Sequence, residues 1–424
     1  MDQEAEVPSY FVCSISMQIM RDPVTVCTGV TYERESIEKW IYKLRKNTCP
    51  ATMQVLHNRQ LTPNHTLRRL IQQWSIANSS MGVPRITPPD DPLDTKHLNG
   101  LLRDIEACPS PPFLLKALKR LRALADKNDT NKRCIASSKA PAALISIIES
   151  QSAEADETGC CCDVAVACEE ALRILHSLHL PDEALDPLVT PRCLASLGSI
   201  LKRGTSNSRL YAAMLLQKAS MKSVEQFVMN GNDDLMEGLL ELVTEEVCQK
   251  ATVAALQVLT AMAINSQRSR MKAVEAGAVS ILIESLPEQT AERKSSCERM
   301  LCLLDVLCRC SEGRVAMADH AMGIPAISKK MLRVSQSATE KAVGILWSLC
   351  RFCPSERILK EMLEVGTVIK LLMLLQADCT PKTKWKATEM LRLHEKGETP
   401  APQLKEDLCA LSLFATFDKA QDCI

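Results

Sequence analysis

Between residues 140 and 366 the chain repeats itself, and this periodicity restricts its fold more than any other feature. The stretches "EAGAVSILIESL", "DHAMGIPAISKKML" and "LEVGTVIKLLMLL" each place a small turn residue ahead of a short amphipathic segment. Their markers, Gly277, Gly323 and Gly366, are 46 and 43 residues apart. Upstream, Gly231 in "MNGNDDLMEGLLELV" lies 46 residues before Gly277, Thr190 a further 41, and Ala140 a further 50. The longest interval holds the polar run "SQSAEADETG", which reads as an extruded loop. After each marker comes a longer apolar-periodic stretch, such as "ATVAALQVLTAMAI" or "TEKAVGILWSLCRF". In the first of these Val253, Leu256, Leu259 and Met262 recur at three-residue steps, which predicts a buried helical stripe.

A period of roughly 40–47 residues built from two or three helices is the signature of a HEAT or armadillo solenoid. Glycine before the short helix favours armadillo. One such unit cannot bury its own apolar face, whereas stacked neighbours build a continuous core and a long groove. Six units are marked, an entry unit is expected near residues 93–136, and the stretch after Trp385 reads as a cap. The competing reading is one irregular all-helical domain, which would not reproduce the spacing.

Composition narrows the function classes. The 51 basic and 51 acidic residues give no global electrostatic case for nucleic-acid binding. No apolar run approaches the roughly 18 residues of a membrane span, and "MDQEAEVPSY" lacks a secretory pattern. The twenty cysteines are scattered through apolar stretches, as Cys302, Cys308 and Cys310 are in "MLCLLDVLCRC". They read as reduced, core-packed thiols. The run Cys160-Cys161-Cys162 has no second ligand cluster beside it and is unexplained.

Aromatics are concentrated before residue 80, and prolines then cluster in "GVPRITPPDDP". Proline removes a donor and restricts its predecessor, so this stretch reads as an extended linker. The expected organisation is a small domain at 5–79, a Pro-rich linker at 80–92 and a helical array at 93–424. Inside the small domain, "CSIS" and "CPAT" keep the spacing of metal knuckles, but Ser16 and Thr52 stand where second cysteines would be. Only Cys13, Cys27, Cys49, His57 and His65 remain as ligand types, without a C-x-x-C or H-x-x-x-H pair. No metal and no cofactor is therefore expected, since structural zinc needs four compatible ligands.

A metal-free fold is readable instead. Val12, Ile15, Met17 and Met20 line the first loop, and "DPVTVCTGVTYER" reads as a hairpin turning at Thr28-Gly29. "ERESIEKWIYKL" follows as an amphipathic helix with Ile37, Trp40, Ile41 and Leu44 on one side. A closing helix carries Leu67, Leu70, Ile71 and Trp74 behind an Asn64 cap. Ser16, Asp22, Thr31, Glu33, Arg34 and Thr52 supply the hydrogen bonds and ion pairs that pin the loops. On pattern alone Ile15 and Trp40 are equally readable as core.

The stretch from Pro8 to Asn78 resembles the U-box, a zinc-free relative of the RING domain. The resemblance rests on "CSIS", Met20 to Val24, Thr28 to Arg34, "IEKW", "CPAT" and "LTPNHTLRRLI", in order across the domain. With the array behind it, nearly the whole chain is similar to plant U-box, armadillo-repeat ubiquitin ligases of the PUB type. The resemblance implies a mainly α protein: a small α+β U-box followed by an all-α solenoid. It implies an E3 ubiquitin-protein ligase with no catalytic residue of its own. Such a ligase recruits a ubiquitin-charged conjugating enzyme (E2) and holds a protein substrate on the armadillo groove. Ile15, Trp40, Pro50, Val24 and Pro63 would contact the E2.

Two positions depart from the family. Ser14 stands where proline is usual, and Met53 where some active members carry a basic residue; Arg59 is a candidate substitute. The alternative reading is a non-catalytic armadillo adaptor with a weakened U-box. A thioester-forming ligase using Cys13, Cys27 or Cys49 lacks an evident local base. The expected setting is the cytoplasm, with access to the nucleus or membranes through partners, in plant stress or immune signalling. A homo-oligomer is compatible with this organisation.

Overall fold

Contacts divide the chain into two units, Met1–Asp94 and Thr95–Ile424. The structure is a computed structural model in which residues 7–79, 83, 95–107, 110–150, 161–245, 248–286 and 293–395 are described. The expected linker at 80–92, apart from Val83, lies outside them, as do the insertion at 151–160, the Cys160, Cys161 and Cys162 side chains and the stretch after Glu395.

In the first unit, β1 (Pro23–Thr25) pairs antiparallel with β2 (Thr31–Glu33) on one side and with β3 (Thr62–Pro63) on the other. The hairpin turns where the sequence expects it, because Gly29 adopts φ +82°, which side-chain-bearing residues resist. Helix α1 (Arg34–Glu38) runs into a π turn, Lys39–Lys43, closed by the Leu44 N–H on the Lys39 carbonyl at 2.9 Å. Helix α2 (His65–Ala77) closes the unit. Phe11, Met20, Val24, Val26, Tyr32, Ile37, Ile41 and Ile71 form the core around Cys13 and Cys49.

Three expected core positions are corrected. Leu44 is 58% exposed, because the wide turn shifts the helical phase that would have kept it on the Ile37 side. Leu70 is exposed at the edge of the Leu67–Ile71–Trp74 stripe. Met17 is 76% exposed, turned outward by a backbone φ of +54°.

The second unit is a succession of helices. α3 (Thr95–Glu106) and α4 (Pro111–Lys127) open it, followed by α5 (Asp129–Ala136), α6 (Ala140–Ser150) and α7 (Cys161–Ser177). A 3-10 segment, Asp182–Val189, then precedes α8 (Pro191–Arg203) and α9 (Ser206–Lys222). Four triplets complete the array. They are α10 (Val224–Asn230), α11 (Asp233–Thr244) and α12 (Gln249–Asn265); then α13 (Gln267–Glu275), α14 (Ala278–Ser285) and α15 (Lys294–Leu307). Next come α16 (Ser311–Asp319), α17 (Gly323–Lys330) and α18 (Gln336–Phe352), and finally α19 (Glu356–Glu364), α20 (Thr367–Gln376) and α21 (Pro381–Glu395).

Each long third helix packs on the next, α4 on α7, α7 on α9, and onward to α18 on α21. A helix between two neighbours is buried on both flanks. In α12 Leu256, Leu259 and Met262 are therefore joined inside by Ala251, Ala254, Ala255 and Val258. The repeat markers share a place but not a mechanism. Gly277 and Gly366 take positive φ, +80° and +71°, ahead of α14 and α20. Gly323 is buried instead, and a Cβ there would meet the Met317 carbonyl at 2.3 Å. Thr190 caps α8 by accepting the Cys193 N–H at 3.3 Å.

Cys168, Cys193, Cys297, Cys308 and Cys350 of the array are buried and pack as small hydrophobes. Cys308 and Cys310 are buried and Cys302 is half-buried. Burial pushes the Cys168, Cys193 and Cys350 thiols up to about 12, with neighbouring Glu169 adding at Cys168 and Glu149 at Cys193.

Candidate functional site

Two short loops of the first unit are built alike. In the first, the Cys13 N–H donates to the Gln18 carbonyl at 2.9 Å and the Met17 N–H to the Cys13 carbonyl at 2.8 Å. In the second, the Cys49 N–H donates to the Gln54 carbonyl and the Met53 N–H to the Cys49 carbonyl, both at 2.8 Å. Met17 and Met53 carry matching positive φ angles, +54° and +58°. Each loop thus turns over one fully buried cysteine and raises a short apical segment, Ser14–Ser16 or Pro50–Thr52.

The buried sulfurs act as acceptors. The Glu33 N–H donates to Cys13 Sγ at 3.3 Å, and Ser16 and Ile15 of the same loop add hydrogen bonds. Around Cys49, Thr28 Oγ1 donates to Sγ at 3.3 Å and the Tyr32 hydroxyl lies 2.9 Å away. Burial alone would raise the Cys49 thiol, but hydrogen bonds from Thr28, Thr52 and Tyr32 outweigh it and hold it down at about 6. The same balance holds Cys13 below its ordinary value. Tyr32, pushed up by burial and by Cys49, also accepts the Ala51 N–H at 3.0 Å. The residues in the second-cysteine places, Ser16 and Thr52, therefore donate to the cysteine that remains. Tyr32 is absent from the bonding set expected from the sequence, although a tyrosine inside a hairpin needs a hydroxyl partner.

A second set of bonds joins the hairpin to the helices. Arg34 Nε meets Asp22 Oδ2 at 2.5 Å, with Arg68 at 3.9 Å on the other carboxylate oxygen. Glu33 accepts the Arg21 and Asp22 amides at 2.6 and 3.2 Å. Asn64 accepts the Leu67 N–H at 3.0 Å and donates to Thr31, which bonds Thr25 at 2.9 Å. Among the described residues, no group of three or more His, Cys, Asp or Glu is arranged to hold a metal.

Ile15 and Pro50 crown the two loops, and both are half-buried. Trp40 is half-buried as well, packs on the same core as Ile15, and donates its Nε1–H to the Thr48 carbonyl at 2.7 Å. That bond ties the helix to the second loop two residues before Pro50. Val24 is corrected: it is 0% exposed in the centre of the sheet and belongs to the core, so no partner can touch it. Pro63 is exposed on β3 opposite Val24, on the sheet rather than on either loop. Met53 is 67% exposed, and Arg59 is engaged by Asn47 Oδ1 at 2.6 Å. Cys27, the exposed cysteine of the unit, shares a shallow depression with Thr28, Gln54, Val55 and His57. An imidazole is thus nearer to a thiol than the sequence discloses.

Comparisons with known proteins agree with both halves. Residues 7–80 match the U-box domain model, and residues 100–409 match that of the plant U-box protein ARM repeat region. E3 ubiquitin-protein ligase PUB23 of Arabidopsis thaliana is 40% identical over 414 residues, covering 96% of this chain and 97% of its own length. E3 ubiquitin-protein ligase PUB22 of the same plant is 39% identical over 433 residues, covering 96% and 99%. U-box domain-containing protein 25, also of that plant, is 34% identical over 401 residues, covering 93% and 92%. With its small unit a U-box and its helical array the plant ARM repeat region, the chain belongs to the plant U-box, armadillo-repeat family of E3 ubiquitin-protein ligases.

Proposed function

We propose that this chain recruits a ubiquitin-charged E2 on Ile15, Pro50 and Trp40 and promotes direct ubiquitin transfer to a lysine of a protein held by the solenoid. The observation that carries the reading is the pair of matched loops. Each fixes a buried cysteine by hydrogen bonds and lifts one half-buried apolar residue, with Trp40 tied to the second loop by its bond to Thr48. Rate enhancement then comes from holding the thioester and the lysine in attack geometry. No covalent intermediate forms on this chain, in keeping with Cys13 and Cys49 being fully buried. Pro63, exposed on the sheet edge, borders the E2 contact.

The setting is the cytoplasm, in stress or immune signalling, with nucleus and membranes reached through partners. Among the described residues no helix is long and apolar enough to cross a membrane.

The test is autoubiquitination of the full chain with a panel of E2 enzymes, beside Ile15→Arg. Burying an isoleucine contact contributes about 1.5–3 kcal/mol, and a charge adds a desolvation cost. A loss of about 3 kcal/mol is more than a hundredfold in affinity, so transfer should cease while the unfolding temperature holds. A silent parent chain would favour the adaptor reading, whose structural support is the exposed, uncharged Met53. A reducible ubiquitin adduct that disappears with Cys27→Ala would replace the direct mechanism by a covalent one.

A further inference from the structure

The last three long helices of the solenoid place a cation at one register. Arg299 on α15, Lys341 on α18 and Lys386 on α21 are 42 and 45 residues apart, and each reaches back onto the preceding long helix. With the Gln257 amide turned so that its oxygen faces α15, Arg299 Nη1 lies 3.0 Å from it. Lys341 Nζ is 3.4 Å from Asp305 Oδ2. Lys386 Nζ stands 5.1 Å from the centre of the Trp347 ring, a cation–π contact.

Gly344 makes this approach possible. A Cβ at that position would lie 2.6 Å from Asp305 Oδ1 and 3.3 Å from Lys386 Nζ, so any larger residue would force the two groups apart. Asp305 therefore organises cations that outnumber it. Lys386 feels Lys382, Lys341 and Arg309 as well as Asp305, and burial together with these cations pushes its ammonium down. Arg309 and Lys382 are exposed. Beside them Trp385, 54% exposed, packs against Trp347 with ring centres 5.8 Å apart. The chain's charges balance overall, so this excess is local.

We infer that the long-helix face of α15, α18 and α21 binds an acidic peptide segment of a substrate protein, its carboxylates on Arg299, Lys341 and Lys386 and an apolar side chain on Trp385. This rests on the reading of the solenoid as the substrate-holding part. Charge complementarity selects the occupant, because one carboxylate among several clustered cations leaves positive potential unneutralised. The exposed indole adds an apolar contact that a purely electrostatic anion site would not use. A polypeptide supplies both. A single-stranded nucleic acid would bring charge and a base to stack on the indole, but the solenoid of a ubiquitin ligase holds a protein acceptor, and that selects the polypeptide.

The full chain is titrated, without E2 or ubiquitin, into a fluorescein-labelled peptide of about twelve residues bearing several glutamates and one leucine. That length spans three helices 8–10 Å apart at about 3.3 Å per residue. A matched peptide has glutamine for each glutamate. Anisotropy is expected to show binding of the acidic peptide at least tenfold tighter than its neutral twin, weakening as salt rises. The double variant Lys341→Glu, Lys386→Glu should lose at least tenfold. Because Lys341 pairs with Asp305, the exposed pair Arg309→Gln, Lys382→Gln is measured too, with a smaller loss expected in a chain whose unfolding temperature is unchanged. Trp385→Ala should weaken the leucine peptide and leave a leucine-to-serine peptide unaffected. Equal binding of acidic and neutral peptides, indifference to all the charge variants, or equal affinity for single-stranded DNA would overturn the inference. Autoubiquitination of the parent chain is read separately. A chain that transfers ubiquitin but ignores the acidic peptide sinks only this inference, and the converse result sinks only the ligase reading.

Discussion

The two units solve the problem of stability in opposite ways. The U-box gathers a few polar bonds around two sulfurs and one carboxylate, whereas the armadillo array spreads apolar contacts along a row of like helices. In the first, Tyr32, Cys49 and Asp22 each serve partners from distant parts of the chain. In the second, α12 leans chiefly on α9 and α15. Damage in a small cooperative fold should spread through it, while damage in a quasi-linear array should stay near its site. The cysteines show the contrast within one residue type. Cys168, Cys193 and Cys350 of the array are buried and disfavour charge, but Cys49 is buried among donors and favours it.

The largest expected effect is in the array. Leu256→Ala removes a fully buried side chain and should cost about 2–5 kcal/mol. Hydrogen exchange should report the loss mainly in α9, α12 and α15; uniform loss from α4 to α21 would break the comparison.

Next comes pH. Between about 6 and 9 the unfolded chain keeps a proton on Cys49 that the folded U-box has released, so its stability rises with pH. One such group contributes at most about 1.4 kcal/mol per pH unit. Residues 1–80 should need more urea at pH 8 than at pH 6, and Cys49→Ser should flatten that slope. Residues 95–424 should show the reverse at alkaline pH. There Cys168, Cys193 and Cys350 stay protonated up to about 12 in the fold but ionise near 9 when unfolded, so stability falls over that interval.

Tyr32→Phe is expected to cost about 1–3 kcal/mol by leaving the Ala51 N–H and Cys49 Sγ short of a partner. The whole U-box should lose protection together and autoubiquitination should fall with it. Unaltered melting of residues 1–80 would show that the sulfur bonds are incidental. The smallest effect belongs to one of the repeat markers, Gly366. Gly366→Ala places a side chain at φ +71° with open space around it, so backbone strain of about 1 kcal/mol is the whole cost. Gly323→Ala, facing the Met317 carbonyl, should cost distinctly more, and equal melting temperatures for the two would refute the distinction.

Much of the architecture was legible because helices and hairpins are written in local spacing. The hairpin about Gly29 and the Asn64 cap fell where their residues pointed, and so did Leu256, Leu259 and Met262 of the α12 stripe, whereas Val253 is only half-buried. The candidate site was legible only in part. Ile15 and Pro50 were singled out through the resemblance to the U-box, and nothing nearby in the chain says that Val24 faces inward while Met17 turns out. Trp40 depended on a π turn and on Thr48, neither of which has a periodic signature.

The sequence by itself determined the repeat length, the order of the two units, and the serine and threonine in the second-cysteine places, since residue identity and helical period are properties of the string. Tertiary structure decided which groups bond the remaining sulfurs and where charge collects. Cys49 meets Tyr32 across 17 residues and Thr28 across 21. The cation row on α15, α18 and α21 exists only because helices more than forty residues apart stack in register. Local spacing sets which face of a helix is apolar, because the backbone turns by a fixed angle per residue. Which atoms meet across that face depends on how distant segments pack, and no short window of sequence contains that information.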